Sequence, residues 1–213
     1  MNIDKTKSRP WKGIVIHHST GPDNNTKDWT SIVRYHTSYR VDFNTVDKAE
    51  FDRLLKAKKG TSFERPWSDV GYHGGVEMFQ GQAVYVAGRP LSEIGAHALG
   101  GFNKEYIGLC VIGNFDLAAP RDEIWKKTLE VTRELMAAFN IPISHVIGHR
   151  ETYDKMDVPR QKTCPGKYWS MEGFREDLVK PVVEVKGRSL AVVRKDGSMV
   201  SFKLDDVEKV IFI

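Results

Sequence analysis

Two apolar runs in this chain end in a histidine, and that pattern constrains the fold more than any other feature. Gly13-Ile14-Val15-Ile16 has the composition of a buried strand and delivers His17 at its C-terminal end. Ile143-Ser144-His145-Val146-Ile147-Gly148 delivers His149 in the same way. A third polar group, Cys164, lies in the turn Lys162-Thr163-Cys164-Pro165-Gly166, where proline and glycine fix the backbone. Two imidazoles and a thiolate suit Zn2+ and leave one tetrahedral position open, as a catalytic rather than a structural zinc requires. Strand ends are rigid places to mount such ligands.

The residues alone leave alternatives at each ligand. His18 follows His17, and neighbouring strand residues face opposite sides, so only one of the two can face a metal. His145 is the rival of His149. For Cys164 the alternative is a disulfide with Cys110, the only other cysteine, although Cys110 sits in the strand-like run Tyr106 to Gly113 and suits a buried thiol. His36 falls on the apolar face of a helix and reads as packing.

The rest of the chain alternates strand and helix signals, an α/β layout with a mixed central sheet flanked by helices. Strands are expected at Lys12 to His17, Gly71 to Met78, Ala83 to Ala87, Tyr106 to Ile112 and Ser144 to Ile147. Helices are expected around Trp29 to His36, capped by Asn24 or Asn25, at Asp47 to Lys59 with Asp47 and Glu50 in capping-box spacing, at Arg121 to Phe139, and at Met171 to Val179. After Pro181 the pattern changes to β-branched alternation around the turn Lys195-Asp196-Gly197-Ser198. The expected organisation is therefore a main domain, residues 1–181, and a small β-stranded C-terminal appendage, residues 182–213.

Charge and hydropathy narrow the partners. The 213 residues carry a formal charge of +4 and a pI near 8.9 with no long Lys/Arg block, which argues against nucleic acid. No apolar run is long enough to insert in a membrane. Met1 to Lys7 lack the apolar core of a secretory signal, so synthesis in the cytoplasm without a signal peptide is expected.

Six ordered motifs then converge on one family. They are Ile14-Val15-Ile16-His17-His18-Ser19; Asp69-Val70-Gly71-Tyr72-His73; Gly95-Ala96-His97-Ala98-Leu99-Gly100 with Phe102-Asn103; Ile107-Gly108 with Ile112-Gly113-Asn114-Phe115; Gly148-His149-Arg150-Glu151; and Lys162-Thr163-Cys164-Pro165-Gly166. Over Lys12 to Leu178 the chain resembles the type 2 N-acetylmuramoyl-L-alanine amidases, the superfamily of phage lysozyme-like amidases and peptidoglycan recognition proteins.

That resemblance implies a zinc-dependent hydrolase acting on the lactyl–L-alanine amide of bacterial peptidoglycan. It implies His17, His149 and Cys164 as zinc ligands, Tyr72 and Lys162 as the catalytic pair, and His97 and Asn103 as substrate-binding residues. Cys110 stands where a related branch carries a glutamate base, which points to the Tyr/Lys version. A phage-type endolysin acting on the bacterial cell wall is the expected setting, with the appendage at residues 182–213 serving wall binding or self-association. The alternatives are a cytosolic enzyme that recycles muropeptides and a non-catalytic peptidoglycan-binding protein. Between Arg40 and Trp67 the chain has more sequence than compact members, including the helix at Asp47.

Overall fold

A computed structural model describes residues 3–19 and 28–180, together with the strands at 183–186, 189–193 and 199–203. The chain divides into two compact units, Met1–Arg175 and Glu176–Ile213. The elements run β1 (Gly13–His18), α1 (Trp29–His36), β2 (Tyr39–Val41), β3 (Asn44–Val46), α2 (Lys48–Lys56), β4 (Phe63–Glu64), β5 (Gly74–Phe79) and β6 (Gln82–Ala87). They continue with α3 (Phe102–Glu105), β7 (Tyr106–Val111), α4 (Asp122–Phe139), β8 (Val146–Gly148), α5 (His149–Lys155) and α6 (Met171–Val179).

Five strands form the central sheet in the order β6-β5-β7-β1-β8. β1 lies parallel to both neighbours, β5 lies parallel to β7, and only the β5-β6 hairpin is antiparallel. All six residues of β1 and all six of β7 are buried, which is why both segments read as continuous apolar runs rather than as alternation. The register sets His17 opposite Cys110 and Ile16 opposite Gly148. His17 and His149 therefore emerge together at the C-terminal edge of two adjacent parallel strands, where ligands bind in open α/β sheets.

The helices follow from their caps and faces. Asp28 caps α1, its carboxylate accepting the Ser31 N–H at 2.7 Å, while the expected caps Asn24 and Asn25 lie outside the described residues. Asp47 caps α2 by accepting the Glu50 N–H at 2.8 Å, but the Glu50 carboxylate turns forward to Arg53 instead of closing the box. In α4, Ile124, Thr128, Val131 and Leu135 share the buried face, and the helix stops at Asn140 in the left-handed conformation, φ 54°. Trp125 packs against Trp169 and Phe174, and Trp169 against Phe115, with ring centroids 4.9 to 5.1 Å apart.

Two expected elements are corrected. The strand expected from Ser144 to Ile147 is displaced, because Ile143–His145 forms a 3-10 turn after Pro142 and β8 spans Val146–Gly148. His149 accordingly opens α5 rather than closing a strand. The segment between Arg40 and Trp67 is more than a helix. β2, β3 and β4 form a separate antiparallel sheet in the order β3-β2-β4 beside α2.

The second unit contains the antiparallel strands β9 (Val183–Lys186), β10 (Ser189–Val193) and β11 (Met199–Lys203), in the order β11-β10-β9. The expected turn at Lys195 to Ser198 and the expected strand at Val210 to Ile213 lie outside the described residues. Among the described residues no helix is long and apolar enough to cross a membrane.

Buried His73 gives the fold a definite pH response. Its Nδ1 accepts the Gly108 N–H at 3.0 Å and its Nε2 meets the Glu93 carbonyl at 3.2 Å, a pairing that fits only the neutral ring. Burial depresses its pKa from 6.5 to about 4, against a smaller opposing effect of the Glu93 carbonyl. The unfolded chain thus binds the proton more readily, so stability is full above about pH 6.5 and is lost as pH falls towards 4. This residue alone is expected to remove about 2–3 kcal/mol between about pH 7 and about pH 4.5. Urea midpoints across that range check it, since His73→Gln should flatten the slope by that amount.

Candidate metal centre

His17, His149 and Cys164 come together at the C-terminal edge of the sheet. One ligand atom from each lies within 4.8 Å of the others, and all three residues are buried. His17 Nδ1 lies 3.7 Å from Cys164 Sγ, and the His17 and His149 rings have centroids 4.6 Å apart. Metal–ligand bonds of about 2.0–2.3 Å at tetrahedral angles separate ligand atoms by roughly 3.3–3.8 Å; the His17–Cys164 pair falls in that range, and the three groups together could hold a metal ion.

The rivals are occupied elsewhere. His18 Nδ1 accepts the Phe115 N–H at 3.2 Å, and His18 contributes only its backbone N–H to the cluster, 3.5 Å from Cys164 Sγ. His145 Nδ1 bonds the Lys12 carbonyl at 2.9 Å. Both cysteines are free thiols.

The electrostatics suit a set of cation ligands. Burial, then the charges of neighbouring groups including Lys162, hold His17 well below its ordinary range, and burial followed by Lys162 brings His149 to about 4. Both rings are therefore neutral and available as ligands at neutral pH. Burial pushes the Cys164 thiol up to about 12, partly offset by the His18 N–H and the charges of Lys162 and Arg150. Such a thiol yields its proton at neutral pH only to a strong local positive charge, which a bound dication provides.

A clamp holds the cysteine loop. From the first turn of α5, Arg150 Nη1 donates to the carbonyls of Thr163 at 3.0 Å and Gly166 at 2.7 Å, and Nη2 donates to Trp169 at 2.7 Å. Its backbone N–H donates to the Cys164 carbonyl at 2.7 Å. Asp116 secures the other side, accepting from Thr163 Oγ1 at 2.7 Å and from the Lys167 N–H at 2.9 Å. Gly166, at φ 114°, lies so close to the Phe115 backbone that a Cβ would fall 2.4 Å from its carbonyl carbon. Sequence reading passed over Arg150 because its partners are carbonyls, which any residue supplies. Arg150→Ala is expected to weaken metal binding at this cluster by about tenfold or more and to cost about 2–3 kcal/mol of stability. Arg150→Lys should fail to restore either, lacking the fork. Chelator competition and urea unfolding measure the two effects.

Beside the cluster opens a cleft of about 470 Å³ lined by Trp67, Ala98, Leu99, His149, Tyr153 and Lys162, among others. Lys162 is exposed on its wall. Tyr72 stands beside His17, ring centroids 5.1 Å apart. Burial raises the Tyr72 pKa well above the phenol range, so its proton stays on the oxygen. His97 and Asn103 also line the cleft. Burial lowers the His97 pKa to about 3, and both its ring nitrogens are engaged within the protein. Asn103 Oδ1 accepts the N–H groups of His97 and Ala98, at 2.6 and 2.8 Å.

Comparison with known proteins supplies the family. The chain is similar in structure to an AmpD derivative, at 18% identity over 80% of this chain and 85% of that one, with a TM-score of 0.51. Other similar structures are the N-acetylmuramoyl-L-alanine amidase LysC from Clostridium intestinale URNW and bumblebee PGRP-SA. The first is 22% identical over 79% of this chain and 87% of that one, TM-score 0.46. The second is 19% identical over 75% and 77%, TM-score 0.48. No curated protein sequence matches. The family model described as N-acetylmuramoyl-L-alanine amidase matches residues 7–167, a span that holds β1, the cleft and all three clustered residues. The chain belongs to the N-acetylmuramoyl-L-alanine amidase family.

Proposed function

We propose that this chain is a zinc-dependent amidase that hydrolyses the amide between the lactyl group of N-acetylmuramic acid and L-alanine in peptidoglycan. The observation that carries the reading is the convergence of His17, His149 and Cys164 beside a cleft, in a chain of this family. Two neutral imidazoles and a thiol that needs a cation to ionise fit zinc and leave room for a fourth ligand. When bound, zinc supplies a Lewis acid for the scissile carbonyl and acidifies water enough for attack at neutral pH.

The remaining work falls to the protein. Lys162, on the cleft wall next to His149, is the counter-charge for the oxyanion that develops as the carbonyl becomes tetrahedral. Tyr72, which keeps its proton, acts as a hydrogen-bond donor at the reacting centre and not as a base. The apolar wall formed by Leu99 and Ala98 keeps water away from one side of the substrate.

We place the enzyme among the phage-type endolysins, acting on intact wall. Purified sacculi test this. Falling turbidity with one new L-alanine amino terminus per cleavage is the expected result. Cleavage of soluble muropeptides alone would make the protein a recycling enzyme, and binding without any new amino termini would make it a recognition protein.

A further inference from the structure

On the side of His17 away from Cys164 stands His97, 8% exposed. The Tyr106 carbonyl, 3.1 Å from His97 Nε2, can only accept, so Nε2 carries the proton of the neutral ring. His97 Nδ1 is then an acceptor, and His17 Nε2, 3.0 Å away, must donate to it. The single proton of His17 is thereby placed on Nε2 and its lone pair on Nδ1, the atom that faces Cys164 Sγ at 3.7 Å. One backbone carbonyl sets the protonation pattern of two successive rings.

The surroundings of His97 leave it one orientation. A Cβ at Gly108 would lie 2.4 Å from its Cδ2, and a Cβ at Gly95 would lie 2.6 Å from the same atom, so two glycines form the slot that holds the ring. Asn103 fixes the loop by accepting the N–H groups of His97 and Ala98. His73 packs edge-on behind the ring, centroids 5.8 Å apart, with its own nitrogens committed to Gly108 and Glu93. Although His97 borders the cleft, neither of its ring nitrogens is left for a substrate.

We propose that His97 is a positioning residue which, relaying the direction of the Tyr106 carbonyl, fixes the tautomer and ring plane of His17 so that Nδ1 presents its lone pair to the metal. The assignment rests on the zinc reading above and goes beyond it by naming the group that prepares a ligand. Asn103, Gly95 and Gly108 serve the same end indirectly, by holding His97.

The test combines nitrogen-15 NMR of the metal-free protein with zinc competition against a chromophoric chelator. In the metal-free wild type both His17 and His97 should be protonated on Nε2. His97→Leu should let His17 populate the Nδ1-protonated form and weaken zinc binding about 10- to 100-fold. His97→Gln, whose amide oxygen can accept from His17, should bring affinity back to within about threefold of wild type. A wild-type His17 protonated on Nδ1 would overturn the assignment even if neither variant folds. So would unchanged zinc affinity in His97→Leu, with or without a rise in KM that marks a substrate contact. Wild-type protein that takes up no zinc is a different result, and it overturns the metal reading itself.

Discussion

Cys164→Ser is expected to abolish zinc retention and amide hydrolysis together while leaving the fold intact. A serine hydroxyl does not ionise at neutral pH and is a poor zinc ligand, so two imidazoles would be left to hold the ion. The loss of affinity should be on the order of 1000-fold or more. The side chain of Cys164 is linked to the backbone only through the weak His18 N–H contact at 3.5 Å, which an oxygen can also accept. Arg150 grips the loop through carbonyls that the substitution does not touch. Stability of the metal-free protein should therefore change by less than about 1 kcal/mol. The thiol adds a separate signature, since burial keeps it protonated until a cation binds. Wild-type protein should release that proton on zinc uptake at neutral pH, and the variant should not. Calorimetric titration in buffers of different ionisation enthalpy reads the proton directly. Full zinc retention by the variant would remove Cys164 from the ligand set.

Lys162→Ala is expected to behave in the opposite way, keeping zinc and losing rate. Lys162 lies outside the donor cluster but on the wall of the same cleft, where its charge reaches all three donors. A cation in that place stabilises charge that develops only in the transition state, and removing one such group lowers kcat by roughly 100- to 1000-fold. KM should move little, because the ground-state amide carries no charge for the lysine to meet. Steady-state kinetics on a defined muropeptide separate the two parameters. An unchanged kcat would exclude Lys162 from the chemistry, and a rise confined to KM would make it a binding residue.

Much of this arrangement is legible in the sequence where one physical signal dominates. The apolar runs of β1 and β7 reveal buried parallel strands because both faces of those strands are covered. The long periodic face of α4 and the bounds of α6, Met171–Val179, follow from helical spacing alone. Short elements escape such reading. β2, β3 and β4 have two or three residues each, too few for alternation to register, and so the sheet beside α2 leaves no signal in the sequence. The 3-10 turn at Ile143–His145 is apolar enough to pass for the start of a strand.

At the site, strand ends and turn residues mark His17, His149 and Cys164 as candidates, but the sequence alone does not choose His17 over His18. The register does, by turning His17 towards His149 while His18 pairs with the Phe115 backbone. The supports are less visible still. Arg150 acts on carbonyls and His97 on the proton of another ring, and neither partner leaves a trace in residue type or spacing.

Zinc content of the purified protein, measured with amide cleavage of peptidoglycan before chelation, after chelation and after zinc return, tests the central claim most directly. About one zinc per chain, with activity lost on chelation and regained on zinc return, is the predicted result. Amide cleavage that survives complete removal of the metal would contradict the account.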